Sequence, residues 1–141
     1  MPPTIRLAEP ADRDVLFELL TQFATSFVPD RDAFEHSLTH LLDDGAVHLL
    51  VAEVEGKIVG YCLGLDHYTL YANGRVSWVE EIMIREDMRG QGIGRSLMNA
   101  FEEWSRSRSS RLVALATRRA APFYAALDYE ESATYFRKLL D

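Results

Sequence analysis

The chain has 141 residues, 48% hydrophobic and 26% charged, a size and apolar content that suit one globular domain with a sizeable core. Its formal charge of −7 argues against a general nucleic-acid binder. No apolar run reaches eighteen residues and no leader-like pattern occupies Met1-Pro-Pro-Thr-Ile-Arg6, so the reading is of a cytoplasmic protein outside membranes.

The expected elements begin with a short strand over residues 4–8 and a turn at Glu9-Pro-Ala-Asp12. A helix then carries Leu16, Leu19, Leu20 and Phe23 on one face, and Pro29 closes that segment. Phe34, Leu38 and Leu41 recur at helical spacing over residues 31–42, ending near Asp43-Asp44-Gly45. Strands over 47–54 and 58–67 flank a Glu55-Gly56 turn, and Asn73-Gly74 precedes a strand over 75–84, which together predict an antiparallel meander.

The most informative stretch follows. Val79, Ile82, Met83 and Ile84 form an apolar strand, Gly90, Gly92 and Gly94 a tight turn, and Ile93, Leu97, Phe101 and Trp104 one face of a helix. Glycines at such a turn let backbone approach a ligand closely, and the unpaired N–H groups opening the helix suit a phosphate. Two familiar cradles do not fit: no Lys follows these glycines as a P-loop requires, and Arg95 stands where a dinucleotide fingerprint needs glycine. Ser105-Arg-Ser-Arg-Ser-Ser110 then breaks the helical pattern, residues 112–115 read as a buried strand, 120–127 as a short helix and 135–140 as a last strand.

Arg89-x-x-Gly92-x-Gly94 resembles the acetyl-coenzyme A pyrophosphate loop, Gln/Arg-x-x-Gly-x-Gly/Ala, of the GNAT superfamily of N-acetyltransferases. A second stretch, Thr117-Arg-Arg-Ala-Ala-Pro-Phe-Tyr124-Ala-Ala-Leu-Asp-Tyr129, is similar to that family's Asn-x-x-Ala-x-x-Phe-Tyr-x-x-Leu-Gly-Phe/Tyr. It departs at Thr117, where asparagine is usual, and at Asp128, where glycine is usual, although Asp tolerates a left-handed helix end. The element order β-α-α-β-β-β-α-β-α-β extends the resemblance over nearly the whole chain. It implies a mixed α/β fold whose central, mostly antiparallel sheet is flanked by helices.

The resemblance also implies an enzyme that moves acetyl from acetyl-coenzyme A to an amine in a ternary complex, with no metal and no acyl-enzyme. Ile82, Met83 and Ile84 would hold the pantetheine arm by their backbone, Arg89, Gly90, Gln91, Gly92, Ile93, Gly94 and Arg95 the diphosphate, and Thr117 would lie beside the cofactor. Tyr124 matches the tyrosine that protonates the departing sulfur. A carboxylate base is expected at Glu80 or Glu81; alternation along a strand lets only one face the amine, and Glu80 is favoured. A homodimer is possible. The alternative reading is a non-catalytic acyl-coenzyme A-binding module.

Several residues have plainer roles. Residues 1–67 carry 12 acidic and 4 basic side chains, net −8, and residues 68–141 carry 10 and 11, net +1, so the acidic half either faces a cationic acceptor or merely solvates the first helices. Tyr61, Tyr68, Tyr71 and Trp78 line an acceptor pocket or pack. His36 and His40 have the spacing of two metal ligands but no accompanying His-Glu-x-x-His arrangement, and the single Cys62 reads as a core residue that excludes an internal disulfide.

Overall fold

Thr4–Leu7 forms β1 along the edge of a five-stranded sheet in a computed structural model that describes residues 2–23 and 26–140. β1 pairs antiparallel with β2 (Val47–Val54), and β2, β3 (Lys57–Thr69) and β4 (Gly74–Ile84) follow as the expected meander. Glu55 and Gly56 both take positive φ, 52° and 77°, the two-residue turn whose twist matches its flanking strands. β5 (Val113–Leu115) joins β4 in parallel, giving the order β1-β2-β3-β4-β5.

Alternation along the strands divides the core in two. Leu49, Val51, Tyr61, Leu63 and Met83 face α1 (Arg13–Thr21) and α2 (Arg31–Leu42), which contribute Leu16, Leu19 and Leu38. Leu50, Ala52, Val59, Cys62 and Val79 face the other way, onto Ile93, Leu97, Met98 and Phe101 of α3 (Ile93–Ser107). α4 (Ala121–Ala126) inserts Tyr124 into this second cluster. The limits of α2 coincide with those expected because both ends are encoded locally: Asp30 accepts from the Ala33 N–H at 2.9 Å, and Asp43-Asp44-Gly45 follows the last turn.

Two expectations need correction. The helix does not break at Ser105 but runs on to Ser107: Ser105 is nearly fully buried, and its hydroxyl is satisfied within the helix by donating back to the Phe101 carbonyl at 2.9 Å. The strand expected over residues 135–140 is absent. Residues 129–140 are neither helix nor strand, and Tyr135, Phe136, Leu139 and Leu140 are 59%, 87%, 56% and 88% exposed. Strand-like composition fixes no partner, and this segment lies across the molecule instead of beside β5; Arg137 donates to the Ser26 hydroxyl at 2.9 Å.

No helix among the described residues is long and apolar enough to cross a membrane.

Candidate active site

β5 pairs with β4 only at Ser77, Trp78 and Val79; beyond Val79, residues 80–84 keep β3 on one side and have no strand on the other. The parallel pair opens there into a cleft walled by a free strand edge, whose N–H and C=O groups suit an extended ligand arm. Ile82 and Ile84 send their side chains toward the α3 cluster and Met83 toward the α1/α2 cluster, so these three residues offer the cleft their backbone. Arg89 curls back to donate from Nε to the Ile84 carbonyl at 3.3 Å.

The glycine loop sits at the end of this edge. Gly90 and Gly92 take φ of 79° and 83°, left-handed values that other residues adopt at a cost, and a Cβ on either would meet nothing within 4 Å. Gly92 caps α3 without a side-chain partner, and the first backbone bond of the helix runs from Ser96 N to Gly92 O, so the N–H groups of Ile93, Gly94 and Arg95 have no intrahelical acceptor. Gln91 and Arg95 are exposed beside them, while Ile93 is buried. Gly94 has a packing reason: a Cβ there would stand 3.1 Å from the Phe123 ring of α4. An open left-handed loop delivering free N–H groups at a positive helix end fits a diphosphate.

Glu80 and Glu81 do not alternate as expected. The pairing of β3 with β4 shifts between Leu63 and Gly64, matching Leu63 to Glu81 but Gly64 to Val79, so Glu80 is the extra residue of a β-bulge. Both carboxylates therefore line one cavity, which also takes in Tyr61, Trp78 and Tyr124 and has a volume of about 2470 Å³. Gly64 permits this geometry, since a Cβ there would collide with the Phe101 ring and stand 2.8 Å from the Trp78 carbonyl. The two carboxylates differ in setting. Glu80 is exposed and accepts from Trp78 Nε1 at 2.8 Å. Glu81 is half-buried and accepts from the Tyr61 hydroxyl at 2.8 Å. Burial raises the pKa of Glu81, the Tyr61 hydrogen bond lowers it in part, and the neighbouring charge of Glu80 raises it further.

Tyr124 stands on α4 with its ring buried among Cys62, Val79 and Met98. Its hydroxyl has no hydrogen-bond partner among the described residues, and since none of their buried side-chain polar atoms lacks one, that hydroxyl opens onto the cavity. Burial pushes its pKa up to about 12, so the phenol keeps its proton throughout the neutral and mildly alkaline range. α4 is held at both ends. The Thr117 hydroxyl accepts from the Ala120 N–H at 3.1 Å, and Asp128, with φ of 70°, takes the left-handed position foreseen for it. Tyr129 follows, its N–H bound to the Tyr124 carbonyl at 3.0 Å and its hydroxyl donating to Glu102 at 2.8 Å.

Residues 13–129 match the family model described as the acetyltransferase (GNAT) family. The chain belongs to the GNAT acetyltransferase family. Aminoglycoside N(6')-acetyltransferase type 1 of Stenotrophomonas maltophilia is 33% identical, over 99% of this chain and 95% of its own. Aminoalkylphosphonate N-acetyltransferase of Salmonella typhimurium is 29% identical, over 96% of this chain and 90% of its own. Glucosamine-6-phosphate N-acetyltransferase from Arabidopsis thaliana shares the fold, with a TM-score of 0.87 at 20% identity and all of both chains covered. Acetyl transfer to an amine is thus the activity of this GNAT enzyme in general terms, and the cleft and glycine loop fit the acetyl-coenzyme A on which the family depends.

The bond between Tyr61 and Glu81 is not legible in the sequence, because a diagonal pair across β3 and β4 is a matter of register. Tyr61 and Trp78 line the cavity, whereas Tyr68 and Tyr71 are 71% and 75% exposed on the β3–β4 hairpin. Of the acidic residues in the first half only Asp30 reaches the cavity; Asp12, Asp14, Glu35, Glu53 and Asp66 are engaged with arginines elsewhere. His36 and His40 meet edge to face, ring centroids 4.6 Å apart.

Proposed function

We propose that this GNAT enzyme acetylates a primary amine of a cationic small molecule by direct attack within a ternary complex, with Glu81 as general base and Tyr124 as the proton-bearing group on the leaving side. The observation that carries this reading is Glu81 itself: a half-buried carboxylate fixed at one oxygen by Tyr61, its affinity for a proton raised by burial, on the part of β4 that has left its β5 neighbour. Freeing an ordinary amine of pKa ~10.4 from its proton at neutral pH costs roughly 4.6 kcal/mol. A carboxylate whose pKa has moved toward neutrality is the better acceptor of that proton. Glu80, exposed and engaged by Trp78, supplies a second negative charge that attracts a cation.

Acetyl-coenzyme A supplies the activated acetyl group. The backbone of Ile82, Met83 and Ile84 holds an extended arm, and the N–H groups of Ile93, Gly94 and Arg95 receive the diphosphate, with Arg89, Gly90, Gln91 and Gly92 completing the loop. Thr117 holds the first turn of α4, and Tyr124 keeps a proton at its phenol oxygen beside the cleft. Cys62 supports direct transfer over an acyl-enzyme: it is fully buried, and burial pushes its thiol up to about 12. Two relatives are named for an aminoglycoside and an aminoalkylphosphonate, both amine-bearing small molecules, which favours such an acceptor over a protein terminus. Dependence on acetyl-coenzyme A favours a cytoplasmic setting.

The test mixes purified protein and acetyl-coenzyme A with an amine panel of an aminoglycoside, a linear polyamine, an aminoalkylphosphonate and an N-terminal peptide, and follows release of the coenzyme A thiol. Release is expected with the polycationic amines and not without an amine. Thiol release at the background hydrolysis rate with every amine would leave a binding module in place of a catalyst.

A further inference from the structure

We infer that Phe123 is a positioning residue: its ring joins the glycine loop to the neighbouring Tyr124, so that a diphosphate seated on the loop fixes the place of that phenol. The inference rests on the roles proposed for the loop and for Tyr124, and not on the acceptor or the base. It begins with a glycine that the backbone does not require. Gly90 and Gly92 have left-handed φ, whereas Gly94 does not; it is the second residue of α3, a position where glycine is a poor helix former. What excludes a side chain there is Phe123. A Cβ on Gly94 would lie 3.1 Å from Cζ, 3.5 Å from Cε1 and 4.0 Å from Cε2 of its ring.

The ring has little else to hold it. Phe123 belongs to neither core cluster, does not line the cavity and is 36% exposed. Its ring neighbour is Tyr124, met edge to face with centroids 4.9 Å apart. Phe123 therefore stands between two parts of the site. On one side is the bare Cα of Gly94, whose N–H is one of the three free donors opening α3. On the other is the ring whose hydroxyl opens onto the cavity.

α4 is only six residues long, and its other restraints act at its ends. Thr117 and Asp128 set those ends along the chain, and Tyr129 ties the far one to Glu102 of α3. Phe123 sets the near one against the start of α3, where the diphosphate binds. Close-packed rings cannot interpenetrate, so a displacement at Gly94 passes through Phe123 to Tyr124.

To test this, the protein is isotope-labelled at tyrosine Cζ, and the Tyr124 signal among the six tyrosines is identified by its loss in Tyr124→Phe. ADP is the probe, since it carries a diphosphate but no pantetheine arm to reach the phenol. Saturating ADP should shift the Tyr124 signal of the wild type. In Phe123→Leu it should still raise Tm while leaving that signal in place. Gly94→Ala should move the signal without ligand, because the Phe123 ring must give by a few tenths of an ångström, and should move it far less on the Phe123→Leu background. With any accepted amine, Gly94→Ala should lower kcat by roughly tenfold at a nearly unchanged KM for acetyl-coenzyme A, less than the ~10²-fold that a misplacement of about 1 Å costs. Phe123→Leu should relieve that loss. Gly92→Ala, strained by its φ of 83°, should instead raise that KM, with no relief from Phe123→Leu. A Tyr124 signal that ADP leaves unmoved, or moves equally in Phe123→Leu, would overturn the coupling and leave the proposed function standing. A wild type whose Tm neither ADP nor coenzyme A raises would overturn both.

Discussion

The Tyr61 hydroxyl donates to Glu81 Oε1 at 2.8 Å, reaching diagonally across the β3–β4 pair from a ring that is 5% exposed. The bond stabilises the ionised carboxylate and so opposes the effect of burial. Tyr61→Phe keeps the ring and removes the donor, and the Glu81 pKa should rise further. Because a base acts in its ionised form, the acid limb of a kcat/KM profile should move to higher pH, with activity regained on the alkaline side. A uniform loss at all pH values would give Tyr61 a packing role alone.

A base kept ready by burial costs stability. The folded-state pKa of Glu81 lies above its unfolded value, so the native state binds the proton more tightly and stability falls as pH rises through the folded pKa. Glu81→Gln retains an oxygen for Tyr61 and removes the charge, so it should raise Tm near pH 8, by roughly 3–4 °C for each 1 kcal/mol gained. The gain should shrink as pH falls and vanish below about 4.3, the unfolded carboxylate value. Thermal melts of both proteins from pH 4 to 8 check it; a lower Tm for the variant at pH 8 would contradict it.

His48 has the opposite sign. Its ring stacks on Trp104 at 4.5 Å, and burial, with Arg108 nearby, pushes its pKa down to about 4. Between the unfolded value of about 6.5 and that folded value the unfolded state holds the extra proton, so stability should fall as pH falls through this window. His48→Phe preserves the stack and should flatten the urea midpoint between pH 6.5 and 4. An unchanged slope would clear His48 of the effect.

Arg108 grips the buried Asp66 with Nε at 2.6 Å and Nη2 at 3.0 Å, tying the end of α3 to β3. Arg108→Ala leaves that carboxylate in the core with only a distant Arg75, 4.0 Å away, and should cost on the order of 3 kcal/mol by urea denaturation. Arg31→Ala, whose pairs with Asp14 and Glu35 lie at the surface and are screened by water, should cost much less. Equal losses would contradict this ranking.

The parts legible in the sequence are those fixed locally. Asp43-Asp44-Gly45 announces the end of α2, Glu55-Gly56 and Asn73-Gly74 announce the hairpins, and the spacing of Gly90, Gly92 and Gly94 announces the loop before α3. What escaped depends on neighbours distant in the chain. Alternation predicts opposite faces for Glu80 and Glu81 only while the register is regular, and the bulge falls opposite Gly64, where the Phe101 ring lies against the bare backbone. Residues 135–140 have the composition of a strand, but a strand is a pairing, and composition says nothing about which edge supplies the partner.

The measurement that bears most directly on the proposed chemistry is kcat/KM against pH for Glu81→Gln and Glu80→Gln with any accepted amine. Removing the base should lower the rate of Glu81→Gln by ~10²–10⁴ near neutral pH and restore part of it at high pH, where more of the amine is already neutral. Glu80→Gln should stay within a few-fold of the parent enzyme. A larger, pH-rescued defect in Glu80→Gln, with Glu81→Gln near wild type, would contradict the assignment of the base to the carboxylate held by Tyr61.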